Sequence, residues 1–425
     1  MCKQYPILGC IADDFTGATD LASFLVKSGL RTLQINNLPT PDMLDSLQGF
    51  DAVVVALKIR TVEKQQAVQQ TLSALNWLQQ AHCQRFFYKY CSTFDSTPKG
   101  NIGPVIDALL DKLKQNSTLV CPALPVNGRT VYNGYLFVNG QPLNESPLKD
   151  HPLTPMTDPS IIRMLEKQGH GKAINIPYET VEQGETVLRA AIQSAKQQYN
   201  YLVVDAISQQ HLLNIGAICD EFSLITGGSG IALDLKPALG IKQKNHLEHE
   251  QQFSQAAPTI VLSGSCSAMT QSQVAEYLAH NPGYQIQPLK IQSGEQSLES
   301  ITNWLHTLPS SAKPIIYATA TPEQVKENQT QLGVQTAQEL VEGLFAQLAK
   351  HLYSKGYRNF VVAGGETSGA VVSALAINRF EIGPSIAPGV PLVRTLDDNP
   401  VNLALKSGNF GDKHFFQTAL GQMTC

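Results

Sequence analysis

Charge is sparse in this chain and is nowhere concentrated in a run of one sign. Charged residues make up 16% of the 425 residues, and the formal net charge is −4. This balance argues against nucleic acid and anionic membranes as partners, because both attract clustered Lys and Arg side chains. No apolar run approaches the ~20 residues that a bilayer-spanning helix needs. Since Met1 also leads almost directly into a strand-like run, we expect neither a membrane anchor nor a signal peptide.

Patterned cysteines are also absent. None of the eight cysteines forms a C-x-x-C pair, and several stand inside apolar runs. Such usage is typical of reduced, buried thiols and predicts a cytoplasmic protein. His246 and His249 lie three residues apart, but no cysteine or third histidine accompanies them. We therefore interpret these histidines as part of a solvated helix face rather than as metal ligands.

Two common nucleotide-binding motifs are missing. The sequence contains no G-x-x-x-x-G-K-[ST], which argues against a P-loop enzyme. The first strand-like run is not followed by G-x-G-x-x-G but by Asp13 and Asp14. Two carboxylates at that edge would repel a pyrophosphate, so the sequence also argues against a dinucleotide-dependent dehydrogenase.

Strand-like and helix-like runs alternate along most of the chain. The length predicts two or three domains, and the 43% hydrophobic content is that of an ordinary globular protein. Helix-like runs cover about 61–80 and 103–113. The strand-like runs are 7–11, 52–57, 85–90, 118–121, 173–176, 201–204, 259–262, 314–318, 360–363 and 402–405. This rhythm predicts an α/β protein of two domains, each with a mainly parallel sheet flanked by helices.

Two interruptions of the alternation are informative. Asn139-Gly140 between apolar flanks predicts a hairpin, and so an antiparallel excursion from the first sheet. Residues 236–258 are rich in Gln, Lys, His and Glu, which indicates an inter-domain connection. We therefore predict a first domain over residues 1–247, a linker over 248–257 and a second domain over 258–425.

Asp13 and Asp14 stand where the first strand-like run ends and an apolar helix face, 21–26, begins. In open α/β sheets this edge is where ligands bind. A single Asp there is explained by helix capping, since Asp is a favoured N-cap residue. One cap needs only one carboxylate, so we predict that the pair includes a functional residue.

Cations and further polar groups follow neighbouring strands of the first domain. Arg and Lys at strand ends suit a small anionic ligand whose carboxylate they hold. Each of these cations is also explained as an ordinary surface charge, and Asp95 is also explained as the ion-pair partner of Lys99. A glycine-rich turn at 226–230 is a further candidate for facing the cleft between the domains. The candidate substrate-binding residues are Lys58, Arg60, Lys89, Asp95 and Arg129.

Three turns of small residues, 263–267, 364–369 and 407–411, follow strand-like runs of the second domain. Glycine lets the backbone approach a ligand closely, and the free N–H groups at a helix start attract anions. Each turn alone is explained as a tight turn. Together they predict a cradle for the phosphates of a nucleotide.

Taken in order, seven motifs of this sequence resemble those of the four-carbon acid sugar kinases, over nearly the whole chain. The stretches 88–97 and 122–134 are most similar to the 3-oxo-tetronate kinase branch. The threonate and erythronate kinases more often have K-I-D-S-T-L-R-G where this chain has TFDSTPKG, in which Lys99 replaces the commoner Arg. The motifs are IADDFTGATD at 11–20, DSTPKGN at 95–101, PALPVNGR at 122–129, TGGSG at 226–230, LSGS at 262–265, AGGETS at 363–368 and KSGNFG at 406–411.

The resemblance implies an acid-sugar-binding first domain and an ATP-binding second domain. It implies ATP-dependent phosphorylation of the 4-hydroxyl of 3-oxo-tetronate, with threonate or erythronate as alternative substrates and Mg²⁺ accompanying ATP. Asp13 or Asp14 would accept or orient the hydroxyl proton, and Arg60 and Lys89 would hold the substrate carboxylate. By motif, the implied ATP contacts are Ser263, Gly364, Gly365, Glu366, Thr367 and Gly408.

The sequence is compatible with a homo-oligomer, and it shows no recognisable set of Mg²⁺ ligands. A non-catalytic sensor that binds a sugar acid and a nucleotide is the alternative from another class. The Asp pair argues against it, because a binder of anions gains nothing from adjacent carboxylates at the ligand edge.

Overall fold

A computed structural model describes residues 5–151, 154–241 and 253–424 of the chain. Residue contacts divide the chain into two compact units, Met1–Lys244 and Asn245–Cys425. His246, His249 and residues 248–252 of the expected linker lie outside the described residues. In the described ranges no helix combines the length and the apolar character needed to cross a bilayer.

The first unit is built on a sheet of eight parallel strands, in the order β2-β3-β1-β4-β11-β5-β10-β9. The central strands β1 and β3 are buried at every position, as expected where helices cover both faces of a parallel sheet. The strands of this unit are β1 (Leu8–Ala12), β2 (Thr32–Asn36), β3 (Ala52–Ala56), β4 (Arg85–Lys89), β5 (Thr118–Cys121), β6 (Arg129–Tyr132), β7 (Tyr135–Val138), β8 (Gln141–Pro142), β9 (Ala173–Ile176), β10 (Tyr201–Val204) and β11 (Leu224–Gly227).

Amphipathic helices pack on this sheet through apolar faces at helical spacing. Helix α1, for example, buries Ala18, Leu21, Ala22 and Leu25. The α-helices of the first unit are α1 (Phe15–Lys27), α2 (Lys64–Gln80), α3 (Ile102–Leu113), α4 (Ile161–Gln168), α5 (Tyr178–Glu182), α6 (Glu185–Ala195), α7 (Gln209–Ala217) and α8 (Leu235–Ala238).

The predicted antiparallel excursion is confirmed. Strands β6, β7 and β8 form a separate three-stranded antiparallel sheet, and Asn139 and Gly140 join β7 to β8 with φ values of 51° and 82°. Two consecutive left-handed residues are what a tight two-residue hairpin requires. The buried carboxylate of Asp205, which the sequence did not single out, accepts hydrogen bonds from the N–H groups of Asn133 and Gly134 at the β6–β7 turn.

The second unit has a seven-stranded sheet in the order β13-β14-β12-β15-β18-β17-β16. Strands β12 to β15 and β18 pair in parallel, whereas β17 is antiparallel to both of its neighbours. The sheet is thus mainly parallel, as predicted, with one antiparallel hairpin that the sequence did not indicate. The strands are β12 (Thr259–Ser263), β13 (Gly283–Gln285), β14 (Ile315–Tyr317), β15 (Asn359–Ala363), β16 (Arg379–Ala387), β17 (Val390–Thr395) and β18 (Asn402–Lys406).

This unit has its own core, in which Phe253 packs with Val261, Val361, Leu392 and Phe416. Its α-helices are α9 (Ala268–Leu278), α10 (Pro288–Gln292), α11 (Leu298–His306), α12 (Pro322–Leu332), α13 (Val334–Ser354), α14 (Gly365–Ala374) and α15 (Phe415–Thr424).

Candidate functional site

In the first unit, three adjacent parallel strands bring predicted residues to one edge of the sheet. Ala12 at the end of β1 is in register with Ala56 of β3 and Lys89 of β4. The segments that follow these strands therefore leave the sheet at the same edge. They carry Asp13 and Asp14 after β1, Arg60 after β3 and Asp95 after β4.

Arg60 lies at the centre of a cluster with three carboxylates, which we call the carboxylate cluster: Asp13, Asp14, Arg60 and Asp95. Its Nε and Nη2 atoms bind the two oxygens of Asp13 at 2.8 and 2.9 Å. Nη2 also lies 3.0 Å from Asp14 Oδ1, and Nη1 lies 3.4 Å from Asp95 Oδ2. The guanidinium is thus occupied by protein carboxylates, and Asp95 pairs with Arg60 rather than with Lys99.

The two adjacent aspartates differ in their surroundings. Asp13 is only 2% exposed, and burial raises its pKa, while the hydrogen bonds and charge of Arg60 act in the opposite direction. The Asp14 side chain is 32% exposed. Asp14 is the N-cap of α1, and its Oδ1 accepts a hydrogen bond from Gly17 N at 2.9 Å. The capping interpretation therefore holds for Asp14 alone.

Lys89 is a buried cation beside this cluster. Its side chain ends under the start of α1, where a Cβ placed on Gly17 would lie 3.1 Å from Nζ. Nζ donates a hydrogen bond to the Tyr90 carbonyl at 2.8 Å, and it forms no ion pair with any carboxylate of the described residues. Its charge acts on the Asp13 carboxylate and opposes the rise in the pKa of that group. Because the buried ammonium contacts no described carboxylate directly, it suits a site that receives an anion.

Cys91 and Thr93 extend the carboxylate cluster, and sequence reasoning did not identify either of them. The Thr93 hydroxyl donates to Asp95 Oδ1 and lies 2.9 Å from the Cys91 sulfur. Burial, together with the Asp95 charge, raises the pKa of the Cys91 thiol, so that it stays protonated. The only signal in the sequence is their place in the polar run after β4.

The hydrogen bonds and ion pairs of the carboxylate cluster described above do not include the remaining two predicted substrate-binding residues, Lys58 and Arg129. Lys58 is exposed, with Nζ 4.8 Å from the centre of the Phe15 ring at the start of α1. Arg129 lies in β6 and donates to the Asn127 carbonyl, and its buried Nε has no hydrogen-bond partner. None of the hydrogen bonds or ion pairs in the described ranges joins Arg129 to the carboxylate cluster.

The turn at 226–230 has a packing explanation. A Cβ on Gly227 would collide with the Cys121 carbonyl, and one on Gly228 would lie 2.6 Å from the Pro122 carbonyl. Glycine is required here because two backbone segments pass each other closely.

In the second unit, the three predicted turns meet at a cavity of about 400 Å³. Helix α14 begins there, and its N-cap residue Gly364 has a φ of 126°, which favours glycine. The first N–H groups of a helix have no partner within the helix and attract anions. From the turns, the lining residues are Gly264, Ser265, Cys266, Gly364, Gly365, Glu366, Thr367 and Gly408.

Ser263 differs from the other predicted ATP contacts. It is fully buried at the end of β12, and its hydroxyl lies 2.8 Å from Thr319 Oγ1. The following residues, Gly264 to Cys266, line the cavity in its place.

Two helices supply a wall of the cavity that sequence reasoning did not find. Its apolar part comes from Val325 of α12 and from Val334, Ala337 and Val341 of α13, and its polar part includes Glu342. No motif marks these residues, since they show only the helical periodicity that any packed helix shows.

Two family models match successive parts of the chain: a sugar-binding N-terminal domain over residues 8–235 and a nucleotide-binding C-terminal domain over residues 260–416. A 3-oxo-tetronate kinase of Brucella melitensis is 49% identical over 96% of this chain and 94% of its own length. One of Pectobacterium atrosepticum is 46% identical over 97% of this chain and 98% of its own length.

The fold is shared with proteins of known structure. A crystal structure of a Haemophilus influenzae protein has a TM-score of 0.88 and 44% identity, covering 97% of this chain and 99% of that one. With both family models and these identities, the chain belongs to the four-carbon acid sugar kinase family, and within it resembles the 3-oxo-tetronate kinases over nearly its whole length.

Proposed function

We propose that the protein is an ATP-dependent kinase that phosphorylates the 4-hydroxyl of 3-oxo-tetronate, giving 3-oxo-tetronate 4-phosphate and ADP. The observation that carries this proposal is the carboxylate cluster beside the buried Lys89, in a domain that matches a sugar-binding family. This arrangement offers a carboxylate for a hydroxyl group and a cation for an acid group within one site. The similarity to 3-oxo-tetronate kinases selects the substrate from among the four-carbon acids.

We assign different roles to the two aspartates. Asp14 is the more exposed member of the pair, and its Oδ2 takes part in none of the bonds found in the described ranges. It is therefore the group that accepts or orients the proton of the substrate hydroxyl. Asp13 is buried, and its two hydrogen bonds to Arg60 hold that guanidinium in place. Arg60 then positions Asp14 and Asp95 instead of binding the substrate carboxylate directly.

Lys89 is the group we assign to the substrate carboxylate, because it is buried and unpaired among the described carboxylates. Lys58 and Arg129 are proposed as outer contacts of the sugar acid. The unpartnered Nε of Arg129 supports this role, since a buried donor gains from a ligand acceptor.

The cavity of the second unit is the proposed ATP site. Its glycine turns and the start of α14 suit the phosphates, and the Val334, Ala337 and Val341 wall suits the apolar faces of a base. The described residues contain no group of three or more His, Cys, Asp or Glu side chains arranged to hold a metal ion. We therefore propose that Mg²⁺ arrives with ATP, held mostly by phosphate oxygens and water. It would neutralise charge on the phosphates that react.

The function is tested by incubating the purified protein with ATP, Mg²⁺ and a panel of four-carbon sugar acids, and by measuring ADP release. We expect turnover with 3-oxo-tetronate to exceed turnover with threonate and erythronate. Faster turnover with either of the latter would contradict the substrate assignment, and no turnover with any acid would contradict the kinase assignment.

A Gly365→Val substitution tests the ATP site. A Cβ at Gly365 meets no protein atom within 4 Å, so the new side chain would occupy the cavity and leave the fold intact. We expect ATP affinity, measured by calorimetry, to fall by about tenfold or more, because the side chain displaces phosphate from the helix start. Gly421→Val is a matched control, since Gly421 also has open space beside it and does not line the cavity. Unchanged ATP affinity in a folded Gly365→Val protein would remove this turn from the site.

A further inference from the structure

Lys406 is a buried lysine that none of the roles above uses. It ends β18 and is 1% exposed. Its Nζ donates hydrogen bonds to Gly408 O at 2.8 Å and to Thr270 Oγ1 at 3.0 Å, with Ser407 O at 3.4 Å. The ammonium therefore lies directly beneath the 407–411 turn.

These contacts connect Lys406 to the cavity. Thr270 Oγ1 lies 2.8 Å from Gly408 O and 3.1 Å from Ser265 Oγ. Ser265 and Gly408 both line the cavity, on two of its three turns. A single ammonium thus supports the relative position of both turns.

The charge of Lys406 has no counter-charge among the described residues. Its hydrogen-bond acceptors are two carbonyls and a hydroxyl, it forms no ion pair with a described carboxylate, and the Phe415 ring lies 5.8 Å from Nζ. Burying an unpaired charge is costly. A purely structural role would be served by a neutral donor at lower cost, so the retained charge points to an anion that binds nearby.

We infer that Lys406 is a positioning residue of the nucleotide site, whose charge holds the Ser265 and Gly408 turns in place and is compensated by the polyphosphate of a nucleoside triphosphate. This inference rests on the proposed ATP site and adds to it a charged group behind the glycine turns. The residue acts through these turns and through its electric field, without a direct contact being required.

ATP binding beside Lys406 should depend on pH. Burial lowers the pKa of Lys406 to about 8 in the nucleotide-free protein. A bound polyphosphate favours the charged form and raises this pKa, so ATP binding takes up a proton near pH 8. The groups packed on Nζ, namely Thr270, Ser407, Gly408 and Phe415, do not titrate in this range. The ionisable side chains that line the cavity are Glu342, Glu366 and Cys266, and burial raises the pKa of the Cys266 thiol.

The experiment is calorimetry of MgATP binding to the full-length protein without sugar acid. For the unmodified protein we expect affinity to fall about five- to tenfold between pH 7 and pH 9, as the ammonium loses its proton. Near pH 8, measurements in two buffers of different ionisation enthalpy should show uptake of up to about half a proton per ATP.

Variants separate charge from packing. Lys406→Met should bind ATP about tenfold more weakly at pH 7, with little further loss at pH 9. Lys406→Arg keeps a charge that does not titrate and should remove the loss at pH 9. Lys350→Met is the control, since Lys350 is exposed on α13 and does not line the cavity.

The outcomes distinguish this inference from the proposed function. ATP binding to the unmodified protein without proton uptake and without pH dependence overturns the role of Lys406 and leaves the kinase proposal standing. Absence of ATP binding to the unmodified protein contradicts the ATP site itself. If Lys406→Met does not fold, the proton uptake of the unmodified protein on ATP binding tests the role of Lys406. Uptake near pH 8 supports that role, and the absence of uptake overturns it.

Discussion

Replacing Asp14 by Asn is expected to lower kcat by roughly 10²–10⁴-fold, the usual contribution of a positioned general base. The Asn side-chain oxygen can still accept the Gly17 N–H, and Asn is as good an N-cap as Asp. The start of α1 should therefore persist, and the change should remove the negative charge that acts on the substrate hydroxyl. The measurement is the initial rate of ADP release at saturating ATP and 3-oxo-tetronate, with thermal unfolding as the check on the fold.

Two further variants, Asp158→Asn and Asp13→Asn, serve as comparisons for Asp14→Asn. Asp158→Asn is a matched control, because Asp158 also pairs with an arginine, Arg163, and is not part of the carboxylate cluster. It should leave kcat near normal. Asp13→Asn removes the buried partner of Arg60 and is expected to lower both stability and turnover, since it leaves a guanidinium hydrogen bond unmet. Near-normal turnover in both Asp13→Asn and Asp14→Asn would contradict any role of the pair in the chemistry.

Much of the fold was predictable because buried parallel strands have a simple sequence pattern. The apolar runs of β1, β3 and β10 are continuous and end in polar residues, so their positions were predicted to within a residue or two. The sequence does not indicate strand β2, because its TLQIN segment includes a buried glutamine. It does not indicate the β16–β17 hairpin either, because Gly383, Pro384, Pro388 and Gly389 interrupt the strand pattern.

The candidate site was predictable as a set of residues and not as a set of contacts. Strand ends place Asp13, Asp14, Arg60 and Asp95 at one edge, and parallel topology alone justifies that expectation. Which side chain pairs with which depends on contacts between distant segments, such as Arg60 with Asp13, 47 residues apart. The capping of α1 by Asp14 and the burial of Asp13 likewise depend on a one-residue difference in where the helix begins.

The nucleotide site is likewise only partly predictable from the sequence. Glycine turns after strands are visible in the sequence, and each of the three contributes to the cavity. The α12–α13 wall is not visible, because a helix face toward a ligand has the same periodicity as a helix face toward a core. The burial of Lys406 is not predictable from the sequence for a related reason, because a lysine at a strand end usually extends to solvent.

Each unit expressed alone is expected to keep one binding activity and to lose catalysis completely. The fragment Met1–Lys244 contains the carboxylate cluster and Lys89, so it should bind the sugar acid and not ATP. The fragment Asn245–Cys425 contains the whole cavity of glycine turns, so it should bind ATP and not the sugar acid. Phosphoryl transfer requires both ligands in line and in contact, so neither fragment should release ADP in response to 3-oxo-tetronate.

For this test to be valid, the second fragment must include Phe253. Phe253 is fully buried in the second core, and its carbonyl accepts a hydrogen bond from Asn402 at 2.8 Å. A fragment that begins after it would lose a large core side chain, at a cost of about 3–5 kcal/mol. Phe253→Ala in the full chain measures that cost directly by unfolding. With Phe253 retained, tight ATP binding by the first fragment, or kinase activity in either fragment, would overturn the assignment of the acid site and the nucleotide site to separate units.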